Sequence, residues 1–586
     1  MRSRERARSD ERVGTTQRVG PASRPLSLVT TTSRAYTPDV TDEVPPSQPL
    51  APAIDSWQIW HVYSTYLPKP IHNLHQAAAD LVAANLVDAV MVSDGTSIWR
   101  TKDGGIGVGE TTVDVEGRGT RAEIGFPDPL PPPYALEGLF VGAYMRYGEQ
   151  HAFGEESPVP YLRAILGECR LEKNGHATTL YPVLKLYATG VLLVELRVFS
   201  PPEATAFKEF VVRFENLAMD EFTTAHVPPA VARFAPFTQN ANFKNPFRRL
   251  SLALAGWLHT SAVEERTTDV DGGDFSYQSC ELPIAEGSRE TLAGLALTIA
   301  SVAAYIVSRP RHGLALVVRG QRPILSIGDW TGRPHVYLLR FDGQEDSAAA
   351  NESKFRAAFG CILARVPNLT SGDRFMEPNL RMFDDYGVYL NRAVRLWVYT
   401  PSELTPPDGL HDDPNGGNIV YIQQVVAELL EYAYALHGRL AEAARDPLSD
   451  PREIARLRVL LAELPSVIDR HVHAGEIRDL LHQGYVQMGI PEMKEEIAAL
   501  LDAKNDLVSY EDGQRASSWS TLLTFVFGLL AVPSVATDIL TPVWKAMHWW
   551  RPKDADYEKV FFIAIAVGVV TVLLLGARKL LFRRKS

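Results

Sequence analysis

Apolar residues change their period along this chain. In the first two thirds, short runs of β-branched and large apolar residues alternate with helical spacings. Leu180–Leu186 and Val191–Phe199 flank Ala188-Thr189-Gly190 and predict a β-hairpin. Phe207–Phe214 predicts either a further strand or the start of a helix. Strands are also expected at Leu314–Val318, Pro323–Ile327, Val336–Phe341 and within Val388–Tyr399. Helical spacing marks Ile71–Leu86 and Ala348–Ala364, the second after a Ser347 cap. This mixture predicts an α/β (or α+β) domain over 56–414.

Beyond a turn at Asp412–Gly417 the strand signals stop, and 415–515 reads as a helical layer with a stalk. Val425, Leu429, Tyr432, Leu436 and Leu440 recur at helical spacing in Ile419–Ala444. Arg452–Gly484 continues as helix, with bends expected at Pro465 and Gly475. Pro491 opens a third helix at its first turn. There Met493, Ile497, Leu500, Lys504, Leu507, Glu511 and Gln514 alternate at 4-3 spacing. That seam fits a coiled coil between subunits or one helix packed on its own domain.

The last segment predicts a membrane hairpin over 516–577. Ala516–Ala536 and Val560–Ala577 are uncharged and approach the ~20 residues that cross a bilayer as a helix. Between them lie Trp544, Trp549 and Trp550, aromatics suited to a membrane interface. A third uncharged stretch, Thr291–Val307, is shorter and ends at Arg309-Pro310-Arg311. It reads as a buried helix of the folded body.

Composition adds direction. The 586 residues carry a net charge of −11, with a surplus of +4 in 1–24 and +5 in 578–586, which leaves −20 between them. An acidic body excludes a nucleic-acid-binding core. The basic tail at 578–586 should stay cytoplasmic, and two spans return the body to the same side. The expected location is the inner membrane of the cell, multi-pass with two spans, in contact with lipid and with both termini cytoplasmic. Residues 1–55, rich in Arg, Ser, Thr and Pro, are expected to be a disordered basic tail. Three separated cysteines, Cys169, Cys280 and Cys361, provide neither a disulfide framework nor a zinc site.

An enzyme is not expected. The Gly-rich Asp103–Gly109 lacks the Lys-Ser/Thr ending of a phosphate loop and reads as a turn. Neither Gly-x-Ser-x-Gly nor HExxH occurs. The His471, His473, Glu476, Asp479 and His482 group reads as an exposed helix face, and Asp269, Asp271 and Asp274 as a turn.

Ser517, Ser520, Thr524, Gly528, Ala531, Ser534 and Asp538 form a small, polar stripe on the first expected span. Such a stripe serves either close helix packing or the lining of a pore, with Asp538 as a carboxylate ring at its mouth. On the stalk, Glu492, Glu495, Glu496, Asp502, Asp506, Glu511 and Asp512 outnumber Lys494 and Lys504. They suit either a solvated face or a divalent-cation sensor that relieves repulsion between subunits.

The order of these parts resembles the CorA-like divalent-cation transporter family. A cytoplasmic α/β domain, a helical layer, a stalk, two C-terminal spans and a basic tail follow one another. The resemblance implies a homo-oligomer, a pentamer in that family, conducting or gating cations, with Mg as the divalent cation. The family's Gly-Met-Asn motif does not appear; the chain there reads Val535-Ala536-Thr537-Asp538-Ile539-Leu540. The alternative is a two-span anchored sensor or effector, in stress or phage defence, whose body binds a signal and whose spans perturb the membrane.

Overall fold

The computed structural model describes residues 51–239, 264–308, 332–402, 417–506, 541–547 and 557–568, apart from short breaks inside these ranges. The chain opens with strand β1 (Ile54–Tyr66) and helix α1 (Leu74–Ala83), whose first turn is capped by the Asn73 side chain. Strands β2 (Ala89–Val92), β3 (Thr96–Arg100) and β4 (Ile106–Glu110) follow, then a small hairpin of β5 (Thr112–Glu116) and β6 (Arg121–Gly125). Helix α2 (Pro133–Phe153) leads into β7 (Tyr161–Ile165), β8 (Cys169–Lys173), β9 (His176–Tyr187) and β10 (Val191–Phe199).

Next come β11 (Glu221–Phe222), β12 (Thr224–Val227), helix α3 (Pro229–Gln239), β13 (Glu264–Val270), β14 (Gly273–Glu281), β15 (Glu290–Thr291) and helix α4 (Leu292–Val307). The body closes with β16 (Arg333–Phe341), α5 (Ala348–Ala364), β17 (Tyr386–Leu390) and β18 (Arg395–Tyr399). Helices α6 (Gly417–Arg445), α7 (Pro451–His471) and α8 (Gly475–Gln487) follow, then helical residues 490–506.

Among the described residues, fourteen strands join one mixed sheet. Its central run is β7-β9-β10-β1-β16-β18-β17, antiparallel except for the β16–β18 pair. Strands β2, β3 and β4 extend it beyond β7, and β8 branches away along the first half of β9. β1 is buried on both sides because helices cover both sheet faces, and Gln58, His61, Ser64 and Thr65 are buried with its apolar residues. Trp57, Ile59 and Tyr63 point into one core with α1, α3, α4 and α5. Trp60 and Val62 point into the other with α2, α6, α7 and α8.

The hairpin at 180–199 forms as β9–β10, with Leu186 opposite Leu192. Phe207–Phe214 is helical rather than extended, and Phe210 and Phe214 pack on Trp57. Ser347 caps α5 by accepting the Ala350 amide hydrogen at 3.1 Å. Val388–Tyr399 divides into β17 and β18. The expected strands 314–318 and 323–327, the 412–416 turn and the 1–50 tail lie outside the described residues. Thr291–Val307 is α4, capped by the Thr291 hydroxyl and buried along its length. Its Ala and Gly residues let the helix lie close to the sheet, and burial of that face accounts for its hydropathy.

The expectation of a C-terminal transmembrane hairpin is corrected. No helix among the described residues is long and apolar enough to cross a membrane. Residues 541–546 form one short helix, and residues 557–568 are helical. The 516–536 stretch and 572–577 lie outside the described residues. The inner-membrane location with both termini cytoplasmic depended on that hairpin. So did the transmembrane and ion-transport reading, and neither is retained.

The α5 backbone approaches the 3-10 turn 369–375 at a distance only glycines permit. A Cβ on Gly360 would lie 2.0 Å from the Gly372 carbonyl oxygen, and one on Gly372 would lie 1.9 Å from that of Ala357. Both obstacles are backbone and cannot rotate away. Gly372→Ala is therefore expected to lose about 1–3 kcal/mol of stability, the usual scale of overpacking. Urea unfolding measures this, and an unchanged midpoint would show that the turn does not seat on α5.

Candidate functional site

Two polar arrangements stand out, one buried and one open. The buried one lies between the sheet and α6. On the second sheet face, alternate positions carry Arg163 (β7), Lys185 (β9), Glu195 and Arg197 (β10), His335 (β16) and Arg395 (β18), all nearly inaccessible to water. Helix α6 presents Gln424, Glu428 and Glu431 to them, each fully buried. Their 4-3 spacing aligns them on one helix face.

The pairing is close. Arg163 grips Glu428 with two parallel hydrogen bonds of 2.6 Å. The Lys185 ammonium bridges Glu428 at 2.6 Å and Glu149 of α2 at 2.7 Å, and Glu149 also accepts the Tyr161 hydroxyl proton. Glu431 takes Arg333 at 2.7 Å and Arg395 at 2.9 Å. Burial alone would raise the Glu431 pKa, but the Arg333 and Arg395 charges overcome it and hold the group at about 2.

His335 is neutral, because burial and then the Arg395 charge push its pKa down. Its tautomer follows from its neighbours. Arg395 Nη1 must donate to Nε2 at 2.9 Å, so the ring proton sits on Nδ1 and is donated to Gln424 Oε1 at 3.0 Å. The Gln424 amide then donates to Glu195 at 3.2 Å. Burial, then the Glu428 charge, push Glu195 up, while Arg163 and Lys185 overcome burial to hold Glu428 down. This layer leaves no room for a substrate; it fixes where α6 sits.

The open arrangement is a cleft of about 1300 Å³ between α1, the end of β2 and α2. Its polar lining includes His75, Ser93, Asp94, Glu110, Arg146 and Gln150. His75 Nε2 lies 2.8 Å from Asp94 Oδ2 and 3.2 Å from Thr96 Oγ1. A carboxylate only accepts, so Nε2 carries the proton and Nδ1 is left for the cleft. Burial acts to raise the Asp94 pKa, but the Thr96 hydrogen bonds and then the His75 charge lower it overall.

Arg146 crosses over the Ser93-Asp94-Gly95 turn. A Cβ on Gly95, whose φ is +95°, would lie 2.1 Å from Arg146 Nη1, so only glycine admits the guanidinium there. Nη1 is buried yet has no hydrogen-bond partner among the described residues, and the same holds for Gln150 Oε1 one turn further on. A buried donor without a partner costs about 1–3 kcal/mol. The fold therefore holds a charged donor at the cleft wall at its own expense.

Helix α2 belongs to both arrangements. Arg146 and Gln150 line the cleft, while Glu149, between them in sequence, faces the buried layer and shares Lys185 with Glu428 of α6. A second link runs through Ser93. Its hydroxyl accepts the Tyr161 amide hydrogen at 3.2 Å, and the Tyr161 hydroxyl meets Glu149.

The residues singled out from sequence lie elsewhere. Ser517, Ser520, Thr524, Gly528, Ser534, Asp538, Glu511, Asp512, Trp549 and Trp550 lie outside the described residues. Glu495, Asp502 and Asp506 lie on helical residues 490–506, and no group of three His, Cys, Asp or Glu able to hold a metal ion occurs among the described residues. That helix packs on its own domain. Ile497 joins the core with α6, Glu496 pairs with Arg445, and Lys504 donates to the Ala443 carbonyl at 2.9 Å. Trp544, expected at a membrane interface, packs edge-on against Phe561 and Phe562.

The buried acids did have a sequence signal. Gln424, Glu428 and Glu431 stand at 4-3 spacing among apolar residues of the helix, Arg163 and Lys185 interrupt apolar strands, and Arg333 and Arg395 open theirs. The cleft residues had none, because 71–75, 93–95 and 146–150 meet only through the tertiary fold. No family model, curated protein or solved structure matches the chain.

Removing one buried partner strands the others. Glu428→Leu is expected to cost about 3–5 kcal/mol, because Arg163 remains buried without its carboxylate and Lys185 keeps only Glu149. Adding Arg163→Met, Lys185→Met and Glu149→Gln should recover most of that loss, read by denaturant unfolding of the single and quadruple variants. Glu431 also sets a pH dependence. Its folded pKa of about 2 lies below the ordinary 4.5, so its contribution is complete above about pH 4.5 and falls away as pH drops towards 2. Glu195, shifted upward, acts in the opposite sense as pH rises. Stability measured from pH 5 to 2 should fall less steeply in Glu431→Gln than in the parent protein.

Proposed function

We infer that this protein is a ligand-responsive sensor module. A small polar molecule binds in the cleft beside α1 and α2, and α6 with the helices packed on it reads its presence. The observation that carries this reading is the position of α2, whose Arg146 and Gln150 line the cleft with Nη1 and Oε1 unpartnered among the described residues while Glu149 is tied to α6 through Lys185. A ligand that draws Arg146 towards itself moves the helix that anchors Glu149. Because Lys185 and Glu428 are buried, a shift there alters strong, poorly screened interactions. Occupancy thus has a differential effect on the seating of α6, which any coupling between sites requires.

The test uses the full chain and the small-molecule filtrate of a cell extract. Hydrogen exchange read by mass spectrometry should slow at 71–95 and 144–154 when the filtrate is added, and exchange within 417–445 should change with it. Ala188→Trp places a bulky ring in the cleft wall and should abolish both effects while leaving the folded baseline unchanged. If the filtrate alters no exchange, or alters it equally in Ala188→Trp, the cleft is not a signal site. If only 71–95 and 144–154 respond, the coupling to α6 is wrong.

A further inference from the structure

We propose that the cleft selects a small molecule bearing one phosphate or carboxylate group, held by Arg146, with hydroxyl or amine groups close beside it. This rests on the sensor reading above and specifies the ligand.

The anionic group follows from Arg146. Arg146 lines the cleft, its buried Nη1 has no partner among the described residues, and a guanidinium presents paired N–H donors that match phosphate or carboxylate oxygens. Gly95 keeps that head in place, since any side chain there would displace it.

The limit to a single anionic group follows from the other walls. Asp94 and Glu110 also line the cleft, and Asp94 is held ionised by Thr96 and His75. One guanidinium against two carboxylates accommodates one anionic group and repels a polyphosphate.

The polar remainder follows from groups with capacity to spare. Gln150 Oε1 has no donor among the described residues. His75 Nδ1 faces no described partner once Nε2 is committed to Asp94 and Thr96. Ser93 accepts from the Tyr161 amide and retains its own hydroxyl proton to donate. One acceptor, one donor and the second ring nitrogen of His75 near an anionic anchor suit a hydroxylated or aminated acid better than an apolar one.

The test measures melting temperature and calorimetric binding for glycerol 3-phosphate, glycerate, glycerol and ATP on the full chain. Glycerol 3-phosphate or glycerate should bind and raise the melting temperature, and their relative affinities separate the phosphate from the carboxylate source. Glycerol and ATP should do neither. Arg146→Ala should weaken binding by about tenfold or more, and Arg146→Lys by less, since a lysine keeps the charge but loses the paired donors. Arg146→Ala should lower the melting temperature of the ligand-free protein little, because the buried Nη1 has no partner among the described residues to lose.

Equal binding of glycerol, stronger binding of ATP, or undiminished binding in Arg146→Ala overturns the proposal. So does failure of both anions at ~10 mM, where even millimolar affinity would register. If the anions fail while the filtrate still slows exchange and Ala188→Trp still blocks it, the ligand class is wrong and the sensor reading stands. If the filtrate fails as well, both fall.

Discussion

Burying charge in a dry interface is the constraint around which this fold is arranged. Two ionised carboxylates on α6 and several cations on the sheet leave water together, at a desolvation cost of several kcal/mol per ion. That cost is offset only when every member meets its partner at hydrogen-bond distance. The sheet must therefore bring β7, β9, β16 and β18 into one register, and α6 must stand at one rotation and height above them. An apolar interface of the same size would tolerate sliding by a residue or a turn; this one does not. The layer acts as a positional lock, and what else depends on α6, including the packing of α7, α8 and 490–506, inherits its precision.

The same lock explains how a rigid core can coexist with a responsive edge. Lys185 is shared between Glu149 and Glu428, so α2 and α6 compete for one ammonium. α6 also has pairs of its own with Arg163, Arg333 and Arg395, but at Lys185 the two helices share one cation. The cleft holds partly exposed groups such as His75 and Asp94. Chemistry that needs access to solvent and chemistry that needs its exclusion thus each take residues from α2.

What the sequence disclosed followed periodicity, and what it concealed depended on distance. The β9–β10 hairpin, the Ser347 cap and the long helix near 417–445 are local patterns, legible from turn residues and spacing. Thr291–Val307 was legible as a buried helix because its small residues and the basic stop after it fit a close-packed position. Phe207–Phe214 was ambiguous because its apolar residues serve either period, and contact with Trp57 decides for the helix. Hydropathy over 516–577 was the strongest single signal, and among the described residues it meets no helix long and apolar enough to cross a membrane. Charged residues within apolar runs, such as Lys185 and Glu428, were passed over individually, since their meaning lies in pairs remote in sequence. Arg146 has no local pattern, and only the fold places it beside Gly95.

That remoteness has a consequence in time. Arg163 and Glu428 are 265 positions apart, and Lys185 and Glu428 are 243. During synthesis, the cations of β7 and β9 emerge long before the carboxylates that neutralise them. Until α6 arrives, that face of the sheet carries positive charge where a core will later be, and it can close only as a hydrated, loosely held surface. Contacts of such long range are slow to form because the intervening chain must first be ordered. The second core is therefore completed late and cooperatively, when a single helix brings both acids to a surface that has been waiting for them. A nascent chain stopped short of residue 417 exposes a basic, partly apolar sheet face, the kind of surface that holdase chaperones cover.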